Sequence, residues 1–178
     1  MILSAVDLKN ALDQCTLGIS PLSSDTIREN GVDLRFSDEI VRLQSTDTVL
    51  DIASPSSDGL YYKEKVTESF VLDKYEKMLV ATMERVKLPN NLMAFCELRS
   101  TFSRAGISIP PTVVDAGFEG ILTIQISGGP FPVRIPVKTR FLHLIFAELK
   151  TPLATGYEGK YKNFEGVVTP KTDLKTGH

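Results

Sequence analysis

The chain has 178 residues, enough for one domain with a sizeable core, and its 42% apolar and 24% charged content is ordinary for a globular protein. A net charge of −2 gives no overall attraction to nucleic acid or to an anionic membrane, so any anion site must be a local cluster. Two cysteines without CxxC spacing, Cys15 and Cys96, exclude a cysteine-rich zinc site. They fit a reducing cytoplasm, where both are expected as small buried side chains.

The first residues, MILSAVDLKN, lack a signal-peptide pattern, and no apolar run approaches a membrane span. SAVDLKNALDQC reads as a helix. Ser4 can cap it with Asp7 three residues on, and Leu8, Ala11, Leu12 and Cys15 recur at helical spacing. After GISPLS the pattern shifts to short strands: VDLRF, EIVRL, FVLD, MLVATM, LMAFCEL, ILTIQI, FPVRIPV and FLHLIFAEL. Residues 45–69, rich in Ser and Asp, read as an exposed loop or arm. STFSRA reads as a short internal helix closed by Gly106. The expected fold is all-β, a barrel or roll with an N-terminal helix and one short internal helix. His143 in FLHLIFAEL is expected to share a strand face with Phe141 and Ile145 as a packed side chain.

Arg99, Ser100, Thr101, Ser103 and Arg104 surround the start of the internal helix. They put hydroxyls and positive charge beside free backbone N–H groups, which suits phosphate. On spacing alone such a turn is as readily a solvated surface. Asp33 could be a turn aspartate, Phe118 a core aromatic and Lys160 a surface charge.

Taken in order, GVDLRF, LRSTFSRAG, VVDAGFEG and GYEGKYKNFEG make the chain resemble the family of dCTP deaminases and dUTPases, from about Ile19 to Gly166. The resemblance implies a distorted β-barrel (the dUTPase-like β-clip roll), a single domain over residues 1–166 and a flexible tail over 167–178. It also implies a homotrimer with active sites shared between subunits. By the same resemblance Arg99, Ser100, Thr101 and Arg104 hold a triphosphate, with Thr101 where a second serine usually lies. Asp33 helps hold the water shell of a phosphate-bound Mg²⁺, an ion that keeps waters and needs few protein ligands. Asp115 meets the deoxyribose and orients water, and Phe118 lies under the sugar. Tyr157, Lys160, Tyr161 and Phe164 belong to a C-terminal segment that closes over the nucleotide.

Gln125 stands where deaminases of the family carry a glutamate. An amide has no usable pKa near neutrality and cannot act as a general base. Its NH₂ can donate to the carbonyl of uracil, whereas a carboxylate accepts from the amino group of cytosine. Alternatively, Gln125 only satisfies a buried backbone group. From Asp115 and Gln125 the expectation is a dUTP diphosphatase, converting dUTP and water to dUMP and pyrophosphate. The alternatives are a dCTP deaminase, a bifunctional deaminase–diphosphatase, or a catalytically silent nucleotide-binding trimer.

Overall fold

The structure, a computed structural model, describes residues 1–52 and 59–171. The order is α1 (Ala5–Asp13), β1 (Gly18–Ser20), β2 (Ile27–Arg28), β3 (Gly31–Leu43), β4 (Tyr61–Lys65), β5 (Ser69–Leu72), β6 (Lys77–Lys87) and β7 (Leu92–Leu98). Then follow α2 (Ser100–Arg104), β8 (Thr112–Val114), β9 (Glu119–Ser127), β10 (Val133–Pro136) and β11 (Arg140–Glu148). The all-β fold with two short helices is therefore as the sequence implied.

Helix α1 starts as its sequence dictates. The Ser4 backbone N–H donates to the Asp7 carboxylate at 2.9 Å, and the Asp7 N–H donates back to the Ser4 hydroxyl at 3.4 Å. The Ser4 hydroxyl donates to the same carboxylate at 2.7 Å, and this bond together with the Ser4 N–H holds the Asp7 carboxyl below its ordinary range. Leu8 is the residue the helix buries completely. Cys15 departs from expectation and is exposed. It follows the C-cap Gln14 with φ 56°, the left-handed position where the chain leaves the helix, so its side chain turns away from the apolar stripe.

The strands form one curled sheet in the order β1-β6-β3-β11-β7-β8, with β2 and β4 on β3 and β9 on β6. A small β10-β5 pair closes one side. VDLRF and EIVRL, read as two strands, are one 13-residue strand, β3, whose register with β6 shifts between Phe36 and Ile40. β6 shifts against β9 between Ala81 and Arg85. Side chains replace the ladder bonds lost there. The Thr82 hydroxyl donates to the Glu84 carbonyl at 2.8 Å and accepts from the Leu122 N–H at 3.1 Å. The fully buried Glu84 carboxylate accepts from the Arg35 N–H at 2.8 Å and from its Nε at 2.6 Å.

The expected loop at 45–69 is part strand: β4 pairs with β3, and Arg42 reaches across to Glu64 at 3.0 Å. Alternation along Tyr61–Lys65 is weak because that edge strand buries no side chain fully, so periodicity did not reveal it.

The core centres on aromatic rings. Phe36 stacks on Phe141 at 3.8 Å and meets Phe70 and Phe102 edge-on at 5.5 and 5.7 Å. Phe102 anchors α2 to this cluster, which fixes where Arg99 and Arg104 stand at its two ends. Phe141 does not share a face with His143. β11 shifts register between Arg140 and Leu142, so Phe141 and Leu142 are both buried while His143 and Ile145 face outward. Among the described residues no helix is long and apolar enough to cross a membrane.

Candidate functional site

A cleft of about 330 Å³ opens on the outer face of β9, a volume suited to a small ligand. β9 alternates cleanly, sending Leu122, Ile124 and Ile126 into the core and Ile121, Thr123 and Gln125 toward the cleft. Asp115, Phe118, Cys96, Thr112, Tyr157 and Tyr161 complete most of its wall. Asp115 is exposed at the end of β8, opening a turn in which the Phe118 N–H donates to the Asp115 carbonyl at 3.1 Å. Gly117 allows that turn. Its φ is 80°, and a Cβ there would lie 2.4 Å from the Gly156 Cα.

Asp115 is the one carboxylate lining the cleft among the described residues. Cys96, on the floor, has its thiol pushed up to about 12 by burial, and the neighbouring Glu97 adds to this, so it is no nucleophile near neutrality. Gln125 is half-buried, and its NH₂ donates to the Ser127 hydroxyl at 3.3 Å. Its partner is thus a side chain rather than an orphaned backbone group. Phe118, 7% exposed, leans on Tyr157 with ring centroids 5.7 Å apart.

The C-terminal segment roofs this cleft. The Tyr157 N–H donates to the Ala116 carbonyl at 2.9 Å, and the Val168 N–H to the Thr123 hydroxyl at 3.0 Å. Lys160 Nζ donates to the Lys171 carbonyl, while Lys171 Nζ donates to the Lys160 carbonyl at 2.9 Å and sits 3.7 Å from the Phe164 ring centroid. Val167 is buried against Val41 and Ala81, so packed chain continues beyond Gly166 to Lys171. Residues 172–178 of the expected tail lie outside the described residues.

The arginine cluster lies elsewhere. Asp33, 3% exposed, is ion-paired with Arg99 Nε at 3.1 Å, accepts from Arg140 Nη1 at 3.3 Å and meets His143 Nδ1 at 2.8 Å. Arg99 caps α2, Ser100 and Thr101 are exposed in its first turn, and Arg104 is exposed at its end. None of these four lines the cleft. Val114 pairs with Ala94 on β7, whereas Arg99 follows the other end of that strand, so Asp115 and Arg99 stand roughly 20 Å apart within one chain. Sequence reasoning named Arg99 and Asp33 but missed Arg140 and His143, whose sole signal was the register that β11 makes with β3.

Asp33 is expected to reach Mg²⁺ only through its water shell. Both its oxygens are committed to arginine and histidine, and among the described residues no group of three His, Cys, Asp or Glu side chains is disposed to hold an ion.

The family model described as dCTP deaminase-like matches residues 2–149. Relatives named dCTP deaminase include proteins of Saccharolobus solfataricus, 48% identical over 96% of this chain and 92% of that protein, and Acidianus ambivalens, 51% identical over 96% and 98%. A protein of Sulfolobus islandicus rod-shaped virus 1, named as a probable deoxyuridine 5'-triphosphate nucleotidohydrolase, is 46% identical over 97% and 100%. Among solved structures, 2'-deoxycytidine 5'-triphosphate deaminase from Agrobacterium tumefaciens superposes with TM-score 0.66 at 19% identity, over 82% of this chain and 46% of that one. The dUTPase of Staphylococcus bacteriophage 80alpha superposes with TM-score 0.51 at 18% identity, over 82% and 97%; both likenesses bear on fold alone.

The expectation of a dUTP diphosphatase is overturned by these relatives, since the archaeal chains about half identical to this one are named dCTP deaminase. That expectation rested chiefly on Gln125, on its lack of a usable proton and its NH₂ donor for uracil, together with the retained Asp115.

Proposed function

The chain belongs to the dCTP deaminase-like family, and from that premise we propose that it deaminates dCTP, converting dCTP and water to dUTP and ammonia. The observation that carries the reading is the cleft, sized for a small ligand and holding one carboxylate, in a chain half identical to proteins named for this reaction. Asp115 takes a proton from the water that attacks C4 of the pyrimidine and returns it to the departing amine. Gln125, neutral at all working pH values, holds the pyrimidine edge by hydrogen bonds and transfers no proton. Phe118 and Tyr157 give the sugar and base an apolar wall, and Tyr161 and Phe164 close from the C-terminal segment. Ammonia release from dCTP is the assay. Pyrophosphate without ammonia, or neither product, overturns the reading.

The phosphates need charge that the cleft lacks, and Arg99, Ser100, Thr101 and Arg104 supply it from a second copy of the chain. Supporting this, a row of outward apolar side chains crosses β8, β7 and β11 between the two half-sites. Phe95, 40% exposed, pairs across strands with Val113, 47% exposed, and on its other side with Ile145. A homotrimer would cover that row and bring one copy's arginines to another's cleft. Mixing Asp115→Asn with Arg99→Ala subunits should then restore part of the activity that each lacks alone; no recovery would place each site within one chain. Mg²⁺ enters this scheme as the counter-ion of the triphosphate, bound to phosphate oxygens and water.

A further inference from the structure

His143 faces outward on the alternating part of β11, and the register shift before Leu142 lets Arg140 meet the same aspartate, Asp33. The histidine stands opposite Asp33 of β3 on one side and Glu97 of β7 on the other. An ionised carboxylate only accepts hydrogen bonds, so the 2.8 Å contact with Asp33 Oδ1 puts the proton on His143 Nδ1. The far edge of the ring rests on Gly31, where a Cβ would lie 2.6 Å from Nε2 and 2.8 Å from Cε1. Pinned between Gly31 and Asp33, the imidazole has one direction in which to donate.

The consequence falls on the other carboxylate oxygen. Arg140 Nη1 donates to Asp33 Oδ2 at 3.3 Å, and Arg99 Nε is ion-paired with the same oxygen at 3.1 Å. A carboxylate free to turn about its last torsion would exchange oxygens and let both guanidiniums swing. With Oδ1 held by His143, Oδ2 stays toward the arginines. Arg99 Nη1 donates in turn to the Arg140 carbonyl at 3.2 Å, and Arg140 Nε is paired with Asp25 at 3.2 Å. Arg140 Nη1 donates to the Asp25 carbonyl as well, at 3.1 Å, so among the described residues it is the Nη2 groups of both guanidiniums that are left for an anion.

We propose that His143 is a positioning residue for the triphosphate. Through Asp33 it fixes Arg99, and with it Arg140 as a second, previously unassigned guanidinium of the same anion site. The inference rests on the reading of Arg99 as a phosphate-binding residue. His143 touches no part of the nucleotide, so it sets affinity for the phosphates and leaves that for the nucleoside alone.

Binding of dCTP and of deoxycytidine to the full-length wild type and to Arg99→Ala, His143→Ala and His143→Asn variants tests this, with unfolding midpoints measured on each. His143→Ala should weaken dCTP binding roughly tenfold, the scale of one lost bond to a charged group, and leave deoxycytidine binding unchanged. His143→Asn, whose amide can place a donor near the Nδ1 position, should recover most of the loss. Equal losses for both ligands, or an asparagine variant no better than alanine, would reduce His143 to packing and overturn the inference. Intact dCTP binding by His143→Ala beside a clear loss in Arg99→Ala would overturn it while leaving the phosphate reading standing. If Arg99→Ala keeps its preference for dCTP over deoxycytidine, the phosphate reading falls and the inference falls with it.

Discussion

The cleft and the arginine cluster solve opposite problems. The cleft is apolar, walled largely by residues 112–125 and the C-terminal segment, and its one carboxylate, Asp115, is exposed. The arginine cluster is organised around a carboxylate that is 3% exposed, and it draws on β3, β7, α2 and β11. An exposed group can be changed with little effect on folding, because water still solvates what remains. Removing a buried charge leaves its partners uncompensated, which couples the second region to stability.

Asp115→Asn carries the largest expected effect. Ammonia release from dCTP should fall by roughly a hundredfold or more, the scale of losing a general base, with the unfolding midpoint unchanged because the side chain is exposed. A large loss of stability would mean that the two regions do not differ as described. Arg99→Ala comes next. It should weaken binding of the triphosphate over the nucleoside by about 1.5–3 kcal/mol, the loss of a charge-assisted contact. It should also lower the unfolding midpoint, because Asp33 loses one of its two guanidiniums. Equal loss for dCTP and deoxycytidine would show that Arg99 serves the fold alone.

The contrast also explains what was legible beforehand. Asp115, Phe118 and Gln125 could be placed from VVDAGFEGILTIQI because turn and strand are contiguous there and alternation assigns each side chain a face. The capping box at Ser4 and the internal helix were legible for the same local reason. Arg140 and His143 were not, because they meet Asp33, about 110 residues away, through strand register, and a bulge had shifted that register. The same limit hid β3 as one long strand, since the bulge between Phe36 and Ile40 mimics a break. The chemistry was over-read at a single position: Gln125 rightly lacks a proton to transfer, yet that did not decide the reaction class.

Gln125→Glu sharpens this point. A carboxylate facing the cleft accepts from the amino group of cytosine, and a second acid–base group would stand beside Asp115. Preference for dCTP over dUTP should rise by about 1–3 kcal/mol in relative binding, with faster ammonia release. Unchanged preference would show that the side chain stays on Ser127 and never meets the base.

The smallest effect probes whether the cleft floor is dry. Cys96 lies beneath the cleft, its thiol raised to about 12 by burial and by Glu97, whereas Cys15 is exposed beyond α1. Alkylation needs the thiolate, and a raised value keeps the thiol protonated until the pH approaches it. At pH 8 only on the order of one Cys96 in 10⁴ is ionised, so a brief alkylation should modify Cys15 and leave Cys96 intact, as peptide mass mapping would read. Cys96 should become reactive only in denaturant. Its modification in the native protein, at a rate comparable to that of Cys15, would mean that water reaches the floor beneath Thr112 and Gln125. The cleft would then lack the sealed apolar base that distinguishes it from the arginine cluster.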